Sequence, residues 1–337
     1  MKILVCGGAG YIGSHTVKEL LKEGFSAVVL DNFSTGKKEL LVGGGLIQAD
    51  LLDRAALKAA FQSQGIDAVF HFASLIQVGE SYANPHKYYG HNLVSSLNLL
   101  EAMLQAGVKK IIFSSSAAVY GLPEKIPIPE SHPLNPFNPY GQSKFFVETI
   151  LRDYDKAYGL KFISLRYFNA AGADPEGRLG EMHDPETHLI PSILLFLLGK
   201  KDSFELYGTD FSTPDGTAVR DYIHVTDLAS AHVLALKRLL TAQESDVFNL
   251  GTTRGYSVME VIRAAEKVTG RKVVYIPKPR RHGDVPILLA SKEKAERVLG
   301  WQLRHSGLET IIETAWEWHK KQSGEVDGCG SKWYKNA

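Results

Sequence analysis

The chain has 337 residues, enough for about two domains, and its 44% hydrophobic and 22% charged residues are typical of an ordinary folded protein. Its 38 Lys and Arg residues nearly balance its 37 Asp and Glu residues, so the overall charge does not favour binding to nucleic acid or to an anionic membrane. Two cysteines, Cys6 and Cys329, are too few for a disulfide framework. The longest apolar stretch, residues 189–198, is about half as long as a membrane span. We therefore expect a cytoplasmic protein that binds neither nucleic acid nor membranes.

The first half of the chain alternates short apolar runs with amphipathic stretches, a pattern typical of strands alternating with helices. Strands are predicted over residues 2–6, 27–30, 46–49, 68–72, 110–114 and 162–166. Helices are predicted over residues 14–23, 53–64, 92–106 and 143–158. This order predicts an α/β fold in which a parallel, doubly wound sheet is covered by helices on both faces.

Three glycines, Gly7, Gly10 and Gly13, lie between the first predicted strand and the first predicted helix. Glycine at this spacing lets the backbone turn tightly and lets a pyrophosphate approach the free N–H groups of the helix N-terminus. Asp31, at the end of the second strand, can accept both ribose hydroxyls of NAD and would repel the extra phosphate of NADP. We predict a site for NAD, in which Asp50 could line an adenine pocket; a solvated loop carboxylate is the alternative for Asp50.

The pattern of elements changes after about residue 172. Residues 172–188 are rich in Gly, Pro, Asp, Glu and His, which predicts a long loop. The remainder mixes helices and short strands without strict alternation. We expect a Rossmann-type NAD-binding domain over residues 1–172. Residues 173–337 would form mainly a smaller α+β substrate domain, with room for some segments to return to the first domain.

Tyr140 and Lys144 are four residues apart at the opening of a helix and therefore share one helix face. A free tyrosine has a pKa of about 10, so it needs a neighbouring positive charge to act as a base at neutral pH. Ser114, Ser115 and Ser116 lie at the carboxyl end of a predicted strand, where open α/β sheets bind ligands. A hydroxyl there could relay a proton between a substrate alcohol and Tyr140. The alternative for the Tyr–Lys pair is two ordinary surface residues.

Longer segments carry a family resemblance: GGAGYIGSHT (7–16), LDNFSTG (30–36), HFASLIQVGES (71–81), FSSSAAVYG (113–121), NPYGQSK (138–144), LRYFNAAGADP (165–175), ETHLIP (186–191) and DGTAVRDYIHVTDLA (215–229). RYFN followed by VRDYIHV is far more selective than the glycines. With these segments the chain resembles the extended short-chain dehydrogenases/reductases and, within them, the UDP-galactose (UDP-glucose) 4-epimerases. The resemblance extends from Met1 to about Lys320.

The resemblance implies interconversion of UDP-galactose and UDP-glucose with NAD as a tightly bound cofactor. Tyr140 would take the proton of the sugar 4-hydroxyl while C4 passes a hydride to the nicotinamide. The 4-ketosugar would then turn about its diphosphate and receive the hydride on its other face, so NAD is regenerated in every turnover. By resemblance, Ser116 relays the proton and Lys144 lowers the pKa of Tyr140.

The resemblance also implies the binding residues. Those for NAD are Gly7, Gly10, Tyr11, Ile12, Gly13, Asp31, Asn32, Asp50, Leu51, Phe72, Ala73, Asn92, Ser114, Tyr140, Lys144 and Tyr167. Those for the UDP-hexose are Ser116, Tyr140, Phe168, Asn169, Leu189, Tyr207, Arg220, Arg281, Asp284 and Leu288. Arginine suits a diphosphate because its planar guanidinium donates to two oxygens at once. Without the surrounding motifs, salt bridges would explain the two arginines, and core packing would explain Phe168 and Leu189.

Two positions depart from the family pattern. Ile76 stands where several family members carry a lysine near the phosphates or the nicotinamide. Leu288 stands where some 4-epimerases carry a tyrosine that narrows the sugar pocket. A leucine leaves more room, so we hypothesise that an N-acetyl group at C2 of the sugar is also accepted.

Two alternatives to the 4-epimerase remain. Another NAD-dependent nucleotide-sugar epimerase or a dehydratase would use the same hydride chemistry, but a dehydratase needs an acid and a base near C5 and C6, and Ser116 is followed by Ala117 and Ala118. A non-enzymatic NAD sensor could dispense with Tyr140 and Lys144, and both are present.

The sequence also bears on the oligomeric state of the protein and on metal binding. The apolar faces of helices 92–106 and 143–158 and the family resemblance suggest a homodimer. We expect no metal site, because no spacing such as HxxxH occurs among His71, His86, His91, His183, His188, His224 and His282.

Overall fold

A computed structural model describes residues 1–281 and 283–324. His282, Cys329 and the end of the predicted second domain lie outside the described residues. The strands are β1 (Lys2–Cys6), β2 (Ser26–Asp31), β3 (Gly45–Gln48), β4 (Ala68–His71), β5 (Lys110–Ser114), β6 (Lys161–Tyr167), β7 (Asn169–Ala171), β8 (Glu205–Tyr207), β9 (Val219–His224), β10 (Asp246–Leu250), β11 (Gly255–Ser257), β12 (Ile276–Lys278) and β13 (Ile287–Leu288). The helices are α1 (Tyr11–Lys22), α2 (Arg54–Gln64), α3 (Val78–Ala83), α4 (Pro85–Tyr88), α5 (Ser95–Gln105), α6 (Pro139–Tyr158), α7 (Leu189–Leu197), α8 (Val225–Ala242), α9 (Val258–Thr269), α10 (Glu293–Leu299) and α11 (Leu308–Ser323).

The main sheet has seven strands in the order β10-β6-β5-β4-β1-β2-β3, and every pairing is parallel. Helices cover both faces because successive side chains of a strand point to opposite sides. Ile3 and Val5 of β1 pack in a core with α1, α8 and α10, whereas Leu4 and Cys6 pack in a second core with α2, α5 and α6. The predicted doubly wound α/β fold is confirmed.

Smaller sheets are formed by strands that follow β6 in the chain. In one, β9 pairs with β7 and β13 in parallel and with β11 in antiparallel direction. In the other, β8 pairs with β12. A third core joins β7, β8, β9 and β11 to α7, α9 and α11. β10 follows residue 172 in the chain but pairs with β6 of the main sheet, and α8 packs on α1.

The structure differs from the predicted element bounds mainly where helices begin. The predicted strands agree with the observed ones to within one residue at each end. α6, however, begins at Pro139 rather than at 143, because proline fits the first helical position and the Asn138 side chain accepts the N–H of Gly141 at 2.7 Å. The predicted helix over 92–106 begins with a π-helical turn, Tyr89–Val94, before α5.

No helix within residues 1–281 and 283–324 is long and apolar enough to cross a membrane.

A buried ion pair connects α6 to the main sheet. The Glu148 carboxylate accepts hydrogen bonds from Arg166 of β6 at 2.8 and 2.5 Å and from the Ser115 hydroxyl at 2.6 Å. Arg166 also donates to the Tyr120 hydroxyl at 2.9 Å. The Glu148 and Arg166 side chains are 0% and 2% exposed, so removal of one charge leaves the other without compensation.

We predict that Glu148→Ala lowers the free energy of unfolding by about 3–5 kcal/mol, measured by urea denaturation, because Arg166 would remain buried and charged. Arg152→Ala is the matched control, since Arg152 also bonds to Glu148 but its side chain is 38% exposed; we expect a loss below about 1 kcal/mol. Equal effects of the two substitutions would contradict the importance assigned to the buried pair.

Buried histidines give a second prediction. Burial lowers the pKa of His232 on α8 from 6.5 to about 4. Its Nε2 has no hydrogen-bond partner among the described residues, and its ring lies 4.9 Å from that of Phe72. Because the unfolded chain takes up the proton at a higher pH than the folded chain, stability contributed by neutral His232 is lost as the pH falls from about 6.5 towards 4.

Between pH 7 and pH 5 we therefore expect the wild type to lose stability more steeply than His232→Gln, by at most about 1.4 kcal/mol per pH unit. Urea denaturation at several pH values measures the slopes. His86→Gln is the control, because His86 is exposed. Parallel slopes for the wild type and His232→Gln would refute this role of His232.

Candidate active site

The turn between β1 and α1 is compact enough to require its glycines. Gly7 has φ +80°, and a Cβ there would lie 2.6 Å from the Ala73 nitrogen. A Cβ on Gly13 would lie 2.2 Å from the Gly7 carbonyl oxygen. Gly10 precedes α1 without a side-chain cap, and the first turn of α1 carries no acidic residue. Backbone N–H groups therefore face a site suited to an anion, as the pyrophosphate of NAD requires.

A fixed carboxylate lies beside this turn. The side chain of Asp31 is buried and accepts the N–H of Ala9 at 3.0 Å and that of Phe33 at 2.9 Å. Asn32 donates to Asp50 at 2.8 Å, which joins the ends of β2 and β3. These contacts hold the Asp31 carboxylate at the carboxyl edge of the sheet, where a dinucleotide ribose binds in folds of this class.

Asn92 connects the loop after β4 to α6. Its side chain accepts the N–H of Leu75 at 2.8 Å and donates to the Ser143 hydroxyl at 3.0 Å. The structure therefore shows a framework role for Asn92 beside the predicted cofactor contact. Ile76 is 39% exposed on the same loop.

The three predicted catalytic residues meet at the carboxyl end of β5. Tyr140 and Lys144 are buried on α6, and Ser116 lies at the start of the 3₁₀ turn Ala117–Val119. The Ser116 hydroxyl accepts the N–H of Ala118 at 3.2 Å and lies close enough to Tyr140 to lower its pKa. The Lys144 ammonium donates to the Ser114 carbonyl at 2.8 Å and lies 5.9 Å from the centre of the Tyr140 ring. The predicted face shared by Tyr140 and Lys144 thus points towards the serine strand end.

Burial dominates the protonation of this group. It raises the pKa of Tyr140, and the hydrogen bond from Ser116 partly offsets this rise. Burial also lowers the pKa of Lys144 to about 7, so burial weakens the hold of Lys144 on its proton. Because Lys144 bonds to Ser114 rather than to the Tyr140 hydroxyl, its predicted effect on the pKa of Tyr140 stays a prediction.

Glu148, Tyr120 and Asn249 support the serine strand end and were missed in the sequence. Glu148 fixes Ser115, and Tyr120 donates to Asn249 of β10 at 2.6 Å. Ser114 contacts the hydroxyl of Tyr167, and both of these residues were predicted from the sequence. The sequence did contain a signal for Glu148, because it follows Lys144 by four residues and so lies on the same face of α6.

On the substrate side, two predicted arginines lie on neighbouring elements. Arg220 of β9 donates to the Val285 carbonyl at 2.8 Å and contacts Asp284 at 3.4 Å. Arg281 stacks on the Tyr207 ring, 4.2 Å from its centre. Burial lowers the pKa of Arg220, and the positive charge of Arg281 acts in the same direction. The Asp284 carboxylate opposes this fall because it pairs with Arg220, and the planar guanidinium groups of both arginines suit the binding of an anion.

The substrate and catalytic sides are joined by an apolar cluster. Leu288 pairs with Arg220 in the β13–β9 register. Leu288 and Phe168 pack against Val119 and Tyr120, which lie shortly after Ser116, the serine predicted to be catalytic. Of the other predicted substrate residues, Asn169 donates to the Asp221 carbonyl at 2.9 Å and Leu189 begins α7.

Comparisons with known proteins agree with this geometry. Residues 3–251 match the NAD dependent epimerase/dehydratase family. The chain is 50% identical over 321 residues to the UDP-glucose 4-epimerase of Lactobacillus helveticus, covering 95% of this chain and 97% of that protein. The UDP-glucose 4-epimerase of Brucella ovis, solved in complex with NAD, superimposes with a TM-score of 0.91 at 48% identity and covers 94% of this chain and 97% of its own.

A second solved structure extends the likeness to a nucleotide complex. The UDP-glucose 4-epimerase of Bifidobacterium longum, in complex with NAD+ and UDP, has a TM-score of 0.92 at 41% identity and covers 97% of this chain and 100% of its own. Likeness of this extent, together with the glycine turn and the Ser–Tyr–Lys group, shows that the chain belongs to the UDP-glucose 4-epimerases of the NAD dependent epimerase/dehydratase family.

Proposed function

We propose that this chain interconverts UDP-galactose and UDP-glucose by inverting C4 of the hexose. The observation that carries the proposal is that Ser116 and the buried side chains of Tyr140 and Lys144 lie together at the carboxyl end of β5. The glycine turn after β1 opens at the same edge of the sheet. A proton acceptor and a dinucleotide site on one edge suit the reversible oxidation of an alcohol.

The side chains of the site have separate roles in proton transfer. Tyr140 removes the proton of the sugar 4-hydroxyl and later returns it. Ser116 relays this proton between the sugar hydroxyl and Tyr140. Lys144 supplies the positive charge that opposes the rise in the Tyr140 pKa caused by burial. When bound, NAD supplies a reversible hydride acceptor for C4. Ala117 and Ala118 offer no acid or base beside Ser116, which favours epimerisation over dehydration.

The residues proposed to hold NAD share the carboxyl edge of the main sheet. They are Gly7, Gly10, Tyr11, Ile12, Gly13, Asp31, Asn32, Asp50, Leu51, Phe72, Ala73, Asn92, Ser114, Tyr140, Lys144 and Tyr167. Support comes from the uncapped N-terminus of α1 and from the fixed carboxylate of Asp31.

We propose that the substrate is anchored by its nucleotide while the hexose turns. Arg220 and Arg281 would bind the diphosphate, which lets the ketosugar present its opposite face without leaving the site. The uracil and ribose would contact Asn169, Leu189, Tyr207 and Asp284. Phe168 would lie near the ketosugar, which fits its packing against Val119 and Tyr120, just after Ser116 in the chain.

The binding role of each half of the chain and the assembly of the chain into a dimer are also proposals. We propose that residues 1–172 mainly bind NAD and residues 173–337 mainly bind the UDP-sugar, with β10 completing the first unit. We further propose a cytoplasmic homodimer formed through α5 and α6. Three apolar side chains on these helices or just before them, Val94, Leu97 and Phe146, are at least 37% exposed.

A second candidate activity is the epimerisation of N-acetylated UDP-hexoses. Leu288 packs against the same buried cluster as Phe168 and pairs with Arg220 in the β13–β9 register, so its size affects the space beside the proposed sugar position. A leucine lacks the ring and hydroxyl of the tyrosine found in some relatives and leaves more room for an N-acetyl group at C2.

We predict that Tyr140→Phe lowers the rate of UDP-galactose conversion about 10²–10⁴-fold and leaves NAD content unchanged, because only the hydroxyl that moves the proton is lost. Sugar proton NMR measures the rate, and chromatography of the released nucleotide measures NAD. Tyr158→Phe, at a 50% exposed position on the same helix, is the control. A wild-type rate for Tyr140→Phe would remove Tyr140 from the proton transfer.

For the second activity, we predict that Leu288→Tyr lowers kcat/KM for UDP-GlcNAc at least about tenfold more than kcat/KM for UDP-galactose, because a larger side chain excludes the N-acetyl group. Both substrates are assayed by NMR with the wild type as reference. Failure of the wild type to epimerise UDP-GlcNAc and UDP-GalNAc, while it converts UDP-galactose, would exclude this activity.

A further inference from the structure

The long loop between β7 and α7 gathers four ionisable side chains that take no part in the proposed reaction. They are Glu181, His183, Glu186 and His188. One donor atom from each side chain lies within 4.8 Å of the donor atoms of the other three. All four come from eight consecutive residues, so the backbone of this single loop sets their spacing.

Contacts within the cluster converge on one carboxylate. The Nδ1 atom of His183 lies 2.9 Å from Glu181 Oε1, and Nδ1 of His188 contacts the same oxygen. The Glu186 carboxylate lies 3.9 Å from each imidazole Nδ1. Glu186 Oε1 accepts the N–H of His188 at 2.8 Å, whereas no described residue donates a hydrogen bond to Glu186 Oε2.

Burial makes this arrangement costly without a cation. The side chains of Glu181 and Glu186 are only 4% and 5% exposed. No lysine or arginine among the described residues forms an ion pair with either carboxylate. Buried charges in proteins are paired or bind metal ions. Here the partners of Glu181 are two imidazoles, which pair with a carboxylate when protonated and bind a metal ion together with it when neutral.

We propose that Glu181, His183, Glu186 and His188 bind one Zn²⁺ ion. Two imidazole nitrogens and two carboxylate oxygens form a ligand set that tetrahedral Zn²⁺ accepts, at about 2.0–2.2 Å from each donor. Donor atoms about 2.1 Å from a tetrahedral ion lie about 3.4 Å from one another. The two imidazole contacts with Glu181 Oε1 are shorter than this and would open, whereas the wider separations, which reach at most 4.8 Å, would close. The proposal departs from the sequence expectation of no metal, which rested on the absence of HxxxH and overlooked the ExHxxExH order of this loop.

The surroundings indicate a structural role for the ion. The ring of His183 meets the ring of Tyr11, in the glycine segment, edge-on at 6.3 Å. Trp318 of α11 donates its indole N–H to the Glu181 carbonyl at 3.0 Å, and Leu189 directly follows His188 at the start of α7. With all four ligand positions filled by protein, the ion would fix this loop between α1, α7 and α11 and would not bind substrate.

The test uses the full-length chain without a histidine tag, dialysed against a chelator and then against metal-free buffer. Isothermal titration and elemental analysis measure Zn²⁺ binding, and the visible spectrum with Co²⁺ reports the coordination geometry. We expect one Zn²⁺ per chain, the intense visible bands of tetrahedral Co²⁺, and a higher Tm with Zn²⁺. Absence of Zn²⁺ binding, or a weak octahedral Co²⁺ spectrum, would overturn the proposal.

Substitutions then assign the ligands. We expect Glu186→Gln and His183→Gln each to weaken Zn²⁺ binding at least about tenfold and to abolish the tetrahedral Co²⁺ spectrum. His86→Gln is the matched control, because His86 is exposed and distant in sequence from the loop. Far-UV circular dichroism and UDP-galactose turnover verify folding. Unchanged Zn²⁺ binding by the two loop variants would overturn the proposal, and if either variant does not fold, the Co²⁺ spectrum of the wild type decides.

Discussion

Parallel pairing is the constraint on which the rest of the structure depends. Because β1, β2, β4, β5 and β6 run in one direction, their carboxyl ends meet at one edge of the main sheet. The glycine turn follows β1, Asp31 ends β2, Ser114 ends β5 and Tyr167 ends β6. Residues that are far apart in the chain therefore meet at one edge, because each of them lies at or next to the end of a strand. Packing of both sheet faces against helices fixes that edge in place.

The same burial that fixes the sheet sets the chemistry of the site. Tyr140 and Lys144 lie on a helix held to the sheet by the ion pair of Glu148 and Arg166. Burial raises the pKa of Tyr140 and lowers that of Lys144, so both shifts oppose the charged forms. A base in this position depends on fixed neighbours, and Ser116 is the neighbour that lowers the pKa of Tyr140.

The parts of the fold predicted best were those in which one short-range pattern determines the structure. The apolar run at Lys2–Cys6 predicted β1 because both faces of a central parallel strand are buried. The family assignment and the α/β class are also confirmed. Both were predicted from short local segments, the motifs at the ends of strands. The apolar periodicity placed the start of α6 at residue 143, because the first turn, which Asn138 caps, carries no such periodicity. The position of Tyr140 at the opening of a helix was nevertheless predicted.

Long-range pairings could not be predicted in this way. β10 belongs to the main sheet only because it pairs with β6, about 80 residues earlier in the chain, and no local pattern encodes that pairing. The ion pair of Glu148 with Arg166 and the cluster of Glu181 with His188 likewise depend on how segments fold against each other. The individual roles of the site residues remain predictions that the geometry supports.

The proposed epimerisation of UDP-galactose is tested most directly by one measurement. Purified protein is incubated with UDP-galactose and no added cofactor, and the sugar proton signals are followed by NMR. We expect conversion to a mixture dominated by UDP-glucose, with NAD supplied by the protein. No change in the signals, even after NAD is added, would contradict the proposed epimerisation of neutral hexoses.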